Sequence, residues 1–249
     1  MEIQQLDILL RLIIAHLLAD FVFQTDAIVK SKTNRGVYST GFYIHLLTVG
    51  ILSYLFLARW ANWYIPLILL IAHGLIDQAK ILIKRDNVFI FMADQLFHLL
   101  SILFVWLWIT NNSLQDLIVR IFENYSWSEQ HLLIFIAYIL LTVPSGVLVG
   151  YLTKHWQKDI SAEKEEEESL KKAGKWIGMI ERFLIVSFIL INQWTPIGFL
   201  LAAKSVFRFG DLKGKKDQKK TEYILVGTLL SFSLAIVHGL TLLYLINDR

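Results

Sequence analysis

Three predicted helices each carry one histidine and one aspartate at a spacing of four residues. The pairs are His16 with Asp20, His73 with Asp77, and Asp94 with His98. Residues i and i+4 of an α-helix lie on one face, so each helix presents both groups in the same direction. An ionisable side chain in hydrocarbon costs about 2.5 to 3.5 kcal/mol, so three such pairs in apolar helices indicate a buried functional site.

Imidazole and carboxylate groups are ligands of zinc, manganese and iron. His45, near the start of the next apolar segment, completes a set that predicts a site for one or two divalent ions. Its candidate ligands are His16, Asp20, His45, His73, Asp77, Asp94 and His98. The histidines His16, His73 and His98 are also the candidate general bases. Three neighbouring amides can donate hydrogen bonds around the ligands, namely Gln24, Gln78 and Gln95.

Two other interpretations of the same residues remain open. Histidine and aspartate side chains can satisfy one another in a polar core that binds no metal. Transporters also line proton and ion pathways with carboxylates and histidines. The residue types alone therefore favour a metal site without excluding either alternative.

The composition indicates a membrane protein. The 249 residues are 55% hydrophobic and 18% charged, and the mean hydropathy is +0.53. The chain has no cysteine, which excludes thiolate ligands and a cysteine nucleophile. A formal net charge of +3 gives no indication of nucleic acid as a partner. The first apolar stretch lacks a basic start and a cleavage site, so we interpret it as a retained span rather than a signal peptide.

The apolar segments predict an all-α, polytopic membrane helical bundle of six to seven spans. Crossing about 30 Å of hydrocarbon takes about 20 residues of helix. The segments cover residues 6–28, 41–58, 63–83, 88–109, 131–152, 176–207 and 222–246. Segment 176–207 is too short for two crossings, yet the loop that follows it is as rich in lysine as the loop before it. We therefore expect a re-entrant hairpin that turns near residues 194–196.

Basic residues predict which loops face the cytoplasm. Lys32 follows the first span, Lys84 the third and Lys171 the fifth, whereas Arg120 is the only lysine or arginine between the fourth and fifth spans. This bias places the N-terminus outside. It also places the histidines of the three pairs near mid-membrane and the aspartates one helical turn closer to the cytoplasm, as one shared site requires.

The domain organisation follows from these segments. Charged residues at i,i+4 spacing predict that residues 157–175 form a solvated cytoplasmic helix. The predicted regions are a four-span bundle (1–110), an outer loop with the fifth span (111–156), this linker helix (157–175) and a C-terminal membrane half (176–249).

Lys204 and Arg208 lie four residues apart at the predicted cytoplasmic boundary of the sixth region. Basic side chains at this depth either extend to the interface or bind an anionic lipid headgroup. We interpret the pair as a candidate site for a phosphate or a lipid headgroup.

Several strings resemble a family of bacterial membrane proteins catalogued as a domain of unknown function, three-three-zero-seven. They are HLLADFVFQTD at 16–26, HGLIDQAK at 73–80 and DQLFHL at 94–99, with His45 between the first two. The stretches at 174–184, 202–209 and 221–232 resemble the C-terminal half of longer members. The resemblance implies that the seven candidate ligands are the motif positions, and it carries no activity with it. In layout alone, the chain resembles membrane-bound metal-dependent hydrolases.

These observations favour a protein of the bacterial cytoplasmic (inner) membrane that hydrolyses or transfers a lipid or isoprenoid phosphate with a divalent metal. The alternatives are a transporter coupled to protons or divalent cations, and a regulatory membrane subunit with a structural polar core. Membrane lipids are expected partners in each case, with a homo-oligomer or a second membrane protein as further candidates.

Overall fold

The computed structural model describes residues 5–111, 113–121, 127–158, 164–209 and 215–247. Side chains are described for 5–111, 113–119, 127–154, 173–206 and 222–247. Within these ranges the chain is helical and forms no strand, which confirms the predicted fold class. The α-helices are α1 (Gln5–Leu17), α2 (Asp26–Arg35), α3 (Thr40–Leu57), α4 (Tyr64–Ile83), α5 (Val88–Thr110), α6 (Leu114–Ile121), α7 (Trp127–Leu141), α8 (Val143–Lys158), α9 (Lys164–Leu190), α10 (Thr195–Phe209) and α11 (Lys215–Asn247).

Five of the described helical segments are long and apolar enough to cross a membrane. They are Thr40–Leu57, Tyr64–Ile83, Val88–Thr110, Trp127–Lys154 and Glu222–Asn247. Their outer faces expose large apolar side chains such as Leu75, which is 67% exposed, and Phe104, which is 71% exposed. Helices that are apolar on the outside and carry buried polar groups inside suit a lipid environment, so the chain is a multi-pass membrane protein.

The N-terminal compact unit, residues 1–136, contains a four-helix ring. In this ring, α1 packs against α3 and α5, and α4 also packs against α3 and α5. Each helix therefore has two neighbours and one face toward a shared interior. Serine and asparagine caps define two helix starts, since Ser39 accepts from the backbone N–H of Phe42 and Asn87 from that of Ile90.

The first apolar segment is shorter than the sequence predicts. The helix that starts at Gln5 ends in a π-helical turn, Leu18–Val22, and the polar helix α2 begins at Asp26. Thr25 caps α2, because its side chain accepts from the backbone N–H of Ile28. The predicted end at residue 28 was therefore wrong, and the chain folds back beside the ring through α2, which packs against α3.

The second compact unit, residues 137–248, holds α8 to α11 and the end of α7. The predicted fifth span, 131–152, is found within Trp127–Lys154, with a break at Thr142. Pro144 lacks the N–H that would bond the carbonyl oxygen of Leu140, and the Ser145 hydroxyl donates to that oxygen instead at 2.7 Å.

The helical hairpin predicted in the sixth region is present in the backbone. Helix α9 ends at Leu190, and α10 starts at Thr195. Asn192 adopts a φ of 55°, and Gln193 N–H bonds the Phe188 carbonyl at 2.7 Å, a C-terminal capping arrangement that stops the helix. The turn therefore lies slightly before the predicted position. Helix α9 is continuous from Lys164, so the predicted boundary at residue 175 falls inside this helix.

Candidate functional site

The four-helix ring brings the predicted cluster together. Helix α1 and the π-helical turn after it supply His16 and Asp20, α3 supplies His45, α4 supplies His73 and Asp77, and α5 supplies Asp94 and His98. Six of these side chains belong to residues that are 1% to 5% exposed, and the Asp20 side chain is 8% exposed. The i,i+4 spacing thus delivers each pair to the interior, as the sequence predicts.

Three ligand atoms from three elements form a tight triangle. His45 Nε2 lies 2.9 Å from His73 Nε2, and each of these nitrogens lies 3.4 Å from Asp20 Oδ1. Ligands placed about 2.0 to 2.2 Å from one ion are separated by about 2.8 to 3.6 Å in octahedral or tetrahedral geometry. All three sides of the triangle fall within that window.

The π-helical turn contributes to this geometry. Asp20 lies inside Leu18–Val22, where backbone hydrogen bonds span five residues rather than the four of an α-helix, as from Phe23 N–H to the Leu18 carbonyl oxygen. His16 Nδ1 remains 3.8 Å from Asp20 Oδ1, although the same oxygen also approaches His45 and His73. Single π-helical turns are frequent at functional sites, and this one directs a carboxylate toward two imidazoles of other helices.

Two further groups of potential ligands adjoin the triangle. His73 stacks on His98 with ring centroids 4.0 Å apart, and His16 lies 5.1 Å from His98 by the same measure. One ligand atom each from His16, His73 and His98 lies within 4.8 Å of the others, and the same holds for Asp77, Asp94 and His98. All seven candidate residues therefore belong to one connected cluster.

Several buried atoms of the cluster find no hydrogen-bond partner among the described residues. They are His16 Nδ1, Asp20 Oδ1, Asp94 Oδ1 and both ring nitrogens of His98. A buried polar atom without a partner costs about 1 to 3 kcal/mol, so such groups are rare unless they serve a ligand or a reaction. They approach one another without forming hydrogen bonds, since His98 Nε2 lies 3.6 Å from Asp94 Oδ1 and His16 Nδ1 lies 3.8 Å from Asp20 Oδ1.

Only one of the three predicted amides bridges the cluster. Gln95 lies 3.3 Å from His16 Nε2 through its oxygen, and its nitrogen lies 3.4 Å from Asp20 Oδ2 and 3.2 Å from Asp94 Oδ2. Gln24 Nε2 and Gln78 Oε1 are buried without a partner in the described part of the chain. Gln95 therefore links two carboxylates and one imidazole that belong to different helical elements.

Sequence reasoning missed two lysines. Lys32 Nζ donates to Asp77 Oδ2 at 2.7 Å, and Lys80 Nζ donates to Asp94 Oδ2 at 2.7 Å. The sequence places Lys32 in a loop as a marker of orientation, whereas the structure buries this residue to 8% exposure. Lys80 offered a weak signal, because it lies one helical turn after Asp77 on the same helix.

A small cavity adjoins the histidines on the side away from the lysines. Its walls include His16, His73, His98, Ser53 and Ser101, and apolar side chains complete it. Its volume of about 10 Å³ suits about one water molecule. The cluster thus has room for about one water molecule next to the imidazoles.

The second predicted site has a different arrangement. Lys204 Nζ donates to Glu181 Oε2 and lies 5.8 Å from the centroid of the Phe232 ring. The Arg208 side chain lies outside the described residues. The anion site of Lys204 and Arg208 therefore stays a prediction, and an anion would have to compete with Glu181 for Lys204.

A bundle of apolar helices around a buried histidine and aspartate cluster defines a multi-pass membrane protein with a polar site in its interior. Residues 8–124 match the model of the family described as "Protein of unknown function (DUF3307)". The matched segment contains all seven cluster residues, so the chain carries a domain of this family there, as its motifs indicate. No curated protein and no solved structure matches the chain.

Proposed function

We propose that the cluster is an intramembrane centre for a divalent metal ion, with Asp20, His45 and His73 as the first ligands. The observation that carries the proposal is the triangle of their ligand atoms, with sides of 2.9, 3.4 and 3.4 Å. Zinc, manganese and iron all accept this mixture of imidazole and carboxylate. The unpartnered nitrogens and oxygens of His16, Asp94 and His98 support the same conclusion, because a nearby ion or its bound water can satisfy them.

The reaction that this centre favours is hydrolysis or transfer of a lipid or isoprenoid phosphate. A bound divalent ion would polarise a phosphoryl oxygen and lower the pKa of bound water. His16 and His98 have free ring nitrogens next to the triangle and can accept a proton from a nucleophile. Ligands buried among membrane-spanning helices favour a substrate that is itself in the membrane.

We place the protein in the bacterial cytoplasmic membrane with its N-terminus outside. The lysines of the cluster support this orientation, because Lys32 follows the first apolar helix and Lys80 lies in the last turn of α4. Basic residues concentrate at the cytoplasmic ends of membrane helices. The carboxylate side of the cluster then faces the cytoplasm, and the cavity lies toward the membrane centre.

Metal content decides whether the centre exists. Full-length protein purified in detergent should carry at least one divalent ion per chain by elemental analysis. The Asp20→Asn and His45→Gln variants each remove one ligand, so each should retain less than about a tenth of that metal. The matched control is His131→Ala, because His131 is exposed on α7 and bonds only its own helix. Equal metal in wild type and Asp20→Asn contradicts the proposal.

Proton or cation transport is the second candidate, and the cavity beside the histidines favours it. Histidines and carboxylates line many intramembrane ion pathways, and here a space for about one water molecule adjoins three of the histidines. In reconstituted vesicles a transporter should move protons or Mn²⁺ down a gradient, and Asp20→Asn should abolish that flux. An enzyme should turn over a lipid phosphate in detergent without any gradient. Flux without hydrolysis across a panel of lipid phosphates would favour the transporter.

A further inference from the structure

The three carboxylates of the cluster have unequal surroundings. Asp77 and Asp94 each accept a lysine ammonium at 2.7 Å. Asp20 has no lysine or arginine within ion-pair distance among the described residues, and its Oδ1 faces two imidazole nitrogens at 3.4 Å. The local charge of two aspartates is therefore balanced by the protein, and that of Asp20 is not.

The two lysines differ in how far packing encloses them. Helix α2 carries Lys32 and lies tightly against α3, since a Cβ added at Gly41 would sit 2.8 Å from Ser31 Cβ. The Lys32 side chain is 10% exposed and the Asp77 side chain 3% exposed. Lys80 reaches Asp94 across the α4–α5 interface and passes 6.0 Å from the Phe91 ring centroid. Both ion pairs join different helices, and the Lys32 pair is the more deeply buried, because the Lys80 side chain is 36% exposed.

Without the lysines, the group of Asp77, Asp94 and His98 would offer a second metal site. One ligand atom from each lies within 4.8 Å of the others. Each ammonium lies 2.7 Å from the carboxylate oxygen that it binds, so its positive charge repels a divalent cation on the same carboxylate. The lysines supply the positive charge that a second ion would otherwise supply.

We propose that the centre binds one metal ion, at Asp20, His45 and His73, and that Lys32 and Lys80 take the place of a second ion. This inference rests on the proposed metal centre and specifies its stoichiometry and charge. With three carboxylates, two ammonium groups and one divalent ion, the cluster has one net positive charge. A centre of this charge attracts an anionic group such as a phosphate, with the lysines as fixed cations beside the single ion.

The test counts Mn²⁺ ions in the full-length protein. Metal-free protein in detergent is titrated with Mn²⁺ and followed by electron paramagnetic resonance, which separates isolated ions from exchange-coupled pairs. Wild type should bind one Mn²⁺ with the spectrum of an isolated ion. The double variant Lys32→Met with Lys80→Met should bind two ions with a coupled spectrum, because it frees both carboxylates.

The matched control is the double variant Lys30→Met with Lys84→Met. Both lysines are exposed, lie close in sequence to the two cluster lysines and carry the same charge. This control should bind one ion with wild-type affinity. A general effect of lost positive charge would instead change both double variants equally.

If the cluster double variant does not fold, the single variant Lys80→Met decides, because the Lys80 side chain is already 36% exposed. It should bind Mn²⁺ about tenfold or more tightly than wild type, since removing a nearby positive charge favours the ion. Two ions in wild type, or unchanged stoichiometry and affinity in folded lysine variants, would overturn the inference. Wild type that binds no ion would overturn the proposed metal centre itself.

Discussion

The buried aspartates of the N-terminal bundle are stabilised by different partners. The partner of each aspartate determines whether its substitution affects folding, ligand binding or both. Removing one partner of a buried ion pair costs about 3 to 5 kcal/mol because the other charge stays buried. A change at Asp77 alone therefore affects folding through Lys32 as well as any bound ligand. Asp20 has no lysine or arginine partner in the described part of the chain; Gln95 donates to its Oδ2, and imidazoles surround its Oδ1. The Asp20→Asn variant consequently reports on ligand binding with the least disturbance of the fold.

In the C-terminal unit, one arginine has a structural role that its position does not suggest. Arg182 is 3% exposed, although it lies near the start of the predicted apolar segment 176–207. Its guanidinium donates to the carbonyl oxygens of Leu141 and Thr142 and to the Ser231 hydroxyl. The two carbonyls lie at the break between α7 and α8. Arg182 thus satisfies backbone acceptors where Pro144 interrupts the helix.

Replacing Arg182 by methionine should destabilise the protein. The substitution keeps the apolar stem but leaves buried carbonyl oxygens with fewer donors, at a cost of about 3 kcal/mol. Thermal denaturation in detergent should show a clearly lower midpoint for Arg182→Met. The control is Lys175→Met, an exposed position on the same helix, which should denature like wild type. An unchanged midpoint for Arg182→Met would show that water or other groups replace the guanidinium.

At the scale of elements, the short helix α2 sets the position of Lys32. Its start is fixed by the Thr25 cap, and Gly36 ends it with a φ of 54°, a conformation that glycine adopts without strain. Gly41, in the first turn of α3, lets α2 approach closely. A Cβ there would lie 2.8 Å from Ser31 Cβ and 3.1 Å from the Ile28 carbonyl oxygen.

Gly41→Ala should therefore destabilise the bundle by about 1 to 3 kcal/mol, since rigid backbone must move to admit a methyl group. The shift should also separate Lys32 from Asp77 and change Mn²⁺ binding. Gly150→Ala is the matched control, because nothing lies within 4 Å of a Cβ at that position. Within helix α8 this alanine should be neutral or stabilising by about 0.5 to 1 kcal/mol. The denaturation midpoint should therefore fall for Gly41→Ala, whereas that of Gly150→Ala should stay the same or rise.

The convergence of the cluster was predictable because it depends on local geometry. The i,i+4 spacing of His73 and Asp77 fixes a common face without knowledge of any other helix. Consecutive membrane-spanning helices run in opposite directions. The order of the pair therefore reverses in the next helix, to Asp94 and then His98. The hairpin between α9 and α10 was predicted instead from the length of the apolar segment and from the lysines on both sides of it, with Pro196 near the expected turn.

The ion pairs of the cluster were not predictable because they depend on how the chain reverses. Lys32 and Asp77 are 45 residues apart, and they meet only because the first helix stops after Val22. That stop was missed, because the predicted first apolar segment continued to residue 28. Arg182 and Leu141 are likewise 41 residues apart. Hydrophobic runs indicate which residues prefer lipid, but they do not specify where a long polar side chain finds its partner.

For the whole molecule, helix length bears on how the C-terminal hairpin enters the membrane. Helix α10 has 15 residues, which corresponds to about 22 Å at 1.5 Å per residue and falls short of the 30 Å hydrocarbon core. It belongs to the shorter apolar helices rather than to the five candidate spans. An arm of this length fits the predicted re-entrant hairpin, which would reach into the membrane and return to the same side, provided that its turn is buried in protein.

Labelling of single cysteines tests the orientation and the hairpin together. The chain has no cysteine, so each introduced thiol reports without background. In intact spheroplasts, an impermeant thiol reagent should label Ala61→Cys, in the exposed connection between α3 and α4, and should leave Lys84→Cys unlabelled until lysis. Lys30 is a better site than Lys32 for the preceding cytoplasmic connection, because Lys32 is buried against Asp77.

The decisive position for the hairpin is Lys216, in the lysine-rich segment before the last span. A re-entrant hairpin returns this segment to the cytoplasm, so Lys216→Cys should behave like Lys84→Cys and react only after lysis. If α9 and α10 together crossed once, Lys216→Cys would react in intact spheroplasts, like Ala61→Cys. That result would reverse the last span and overturn the hairpin, but it would leave the orientation of the N-terminal bundle unchanged, because Ala61 and Lys84 report on that unit independently.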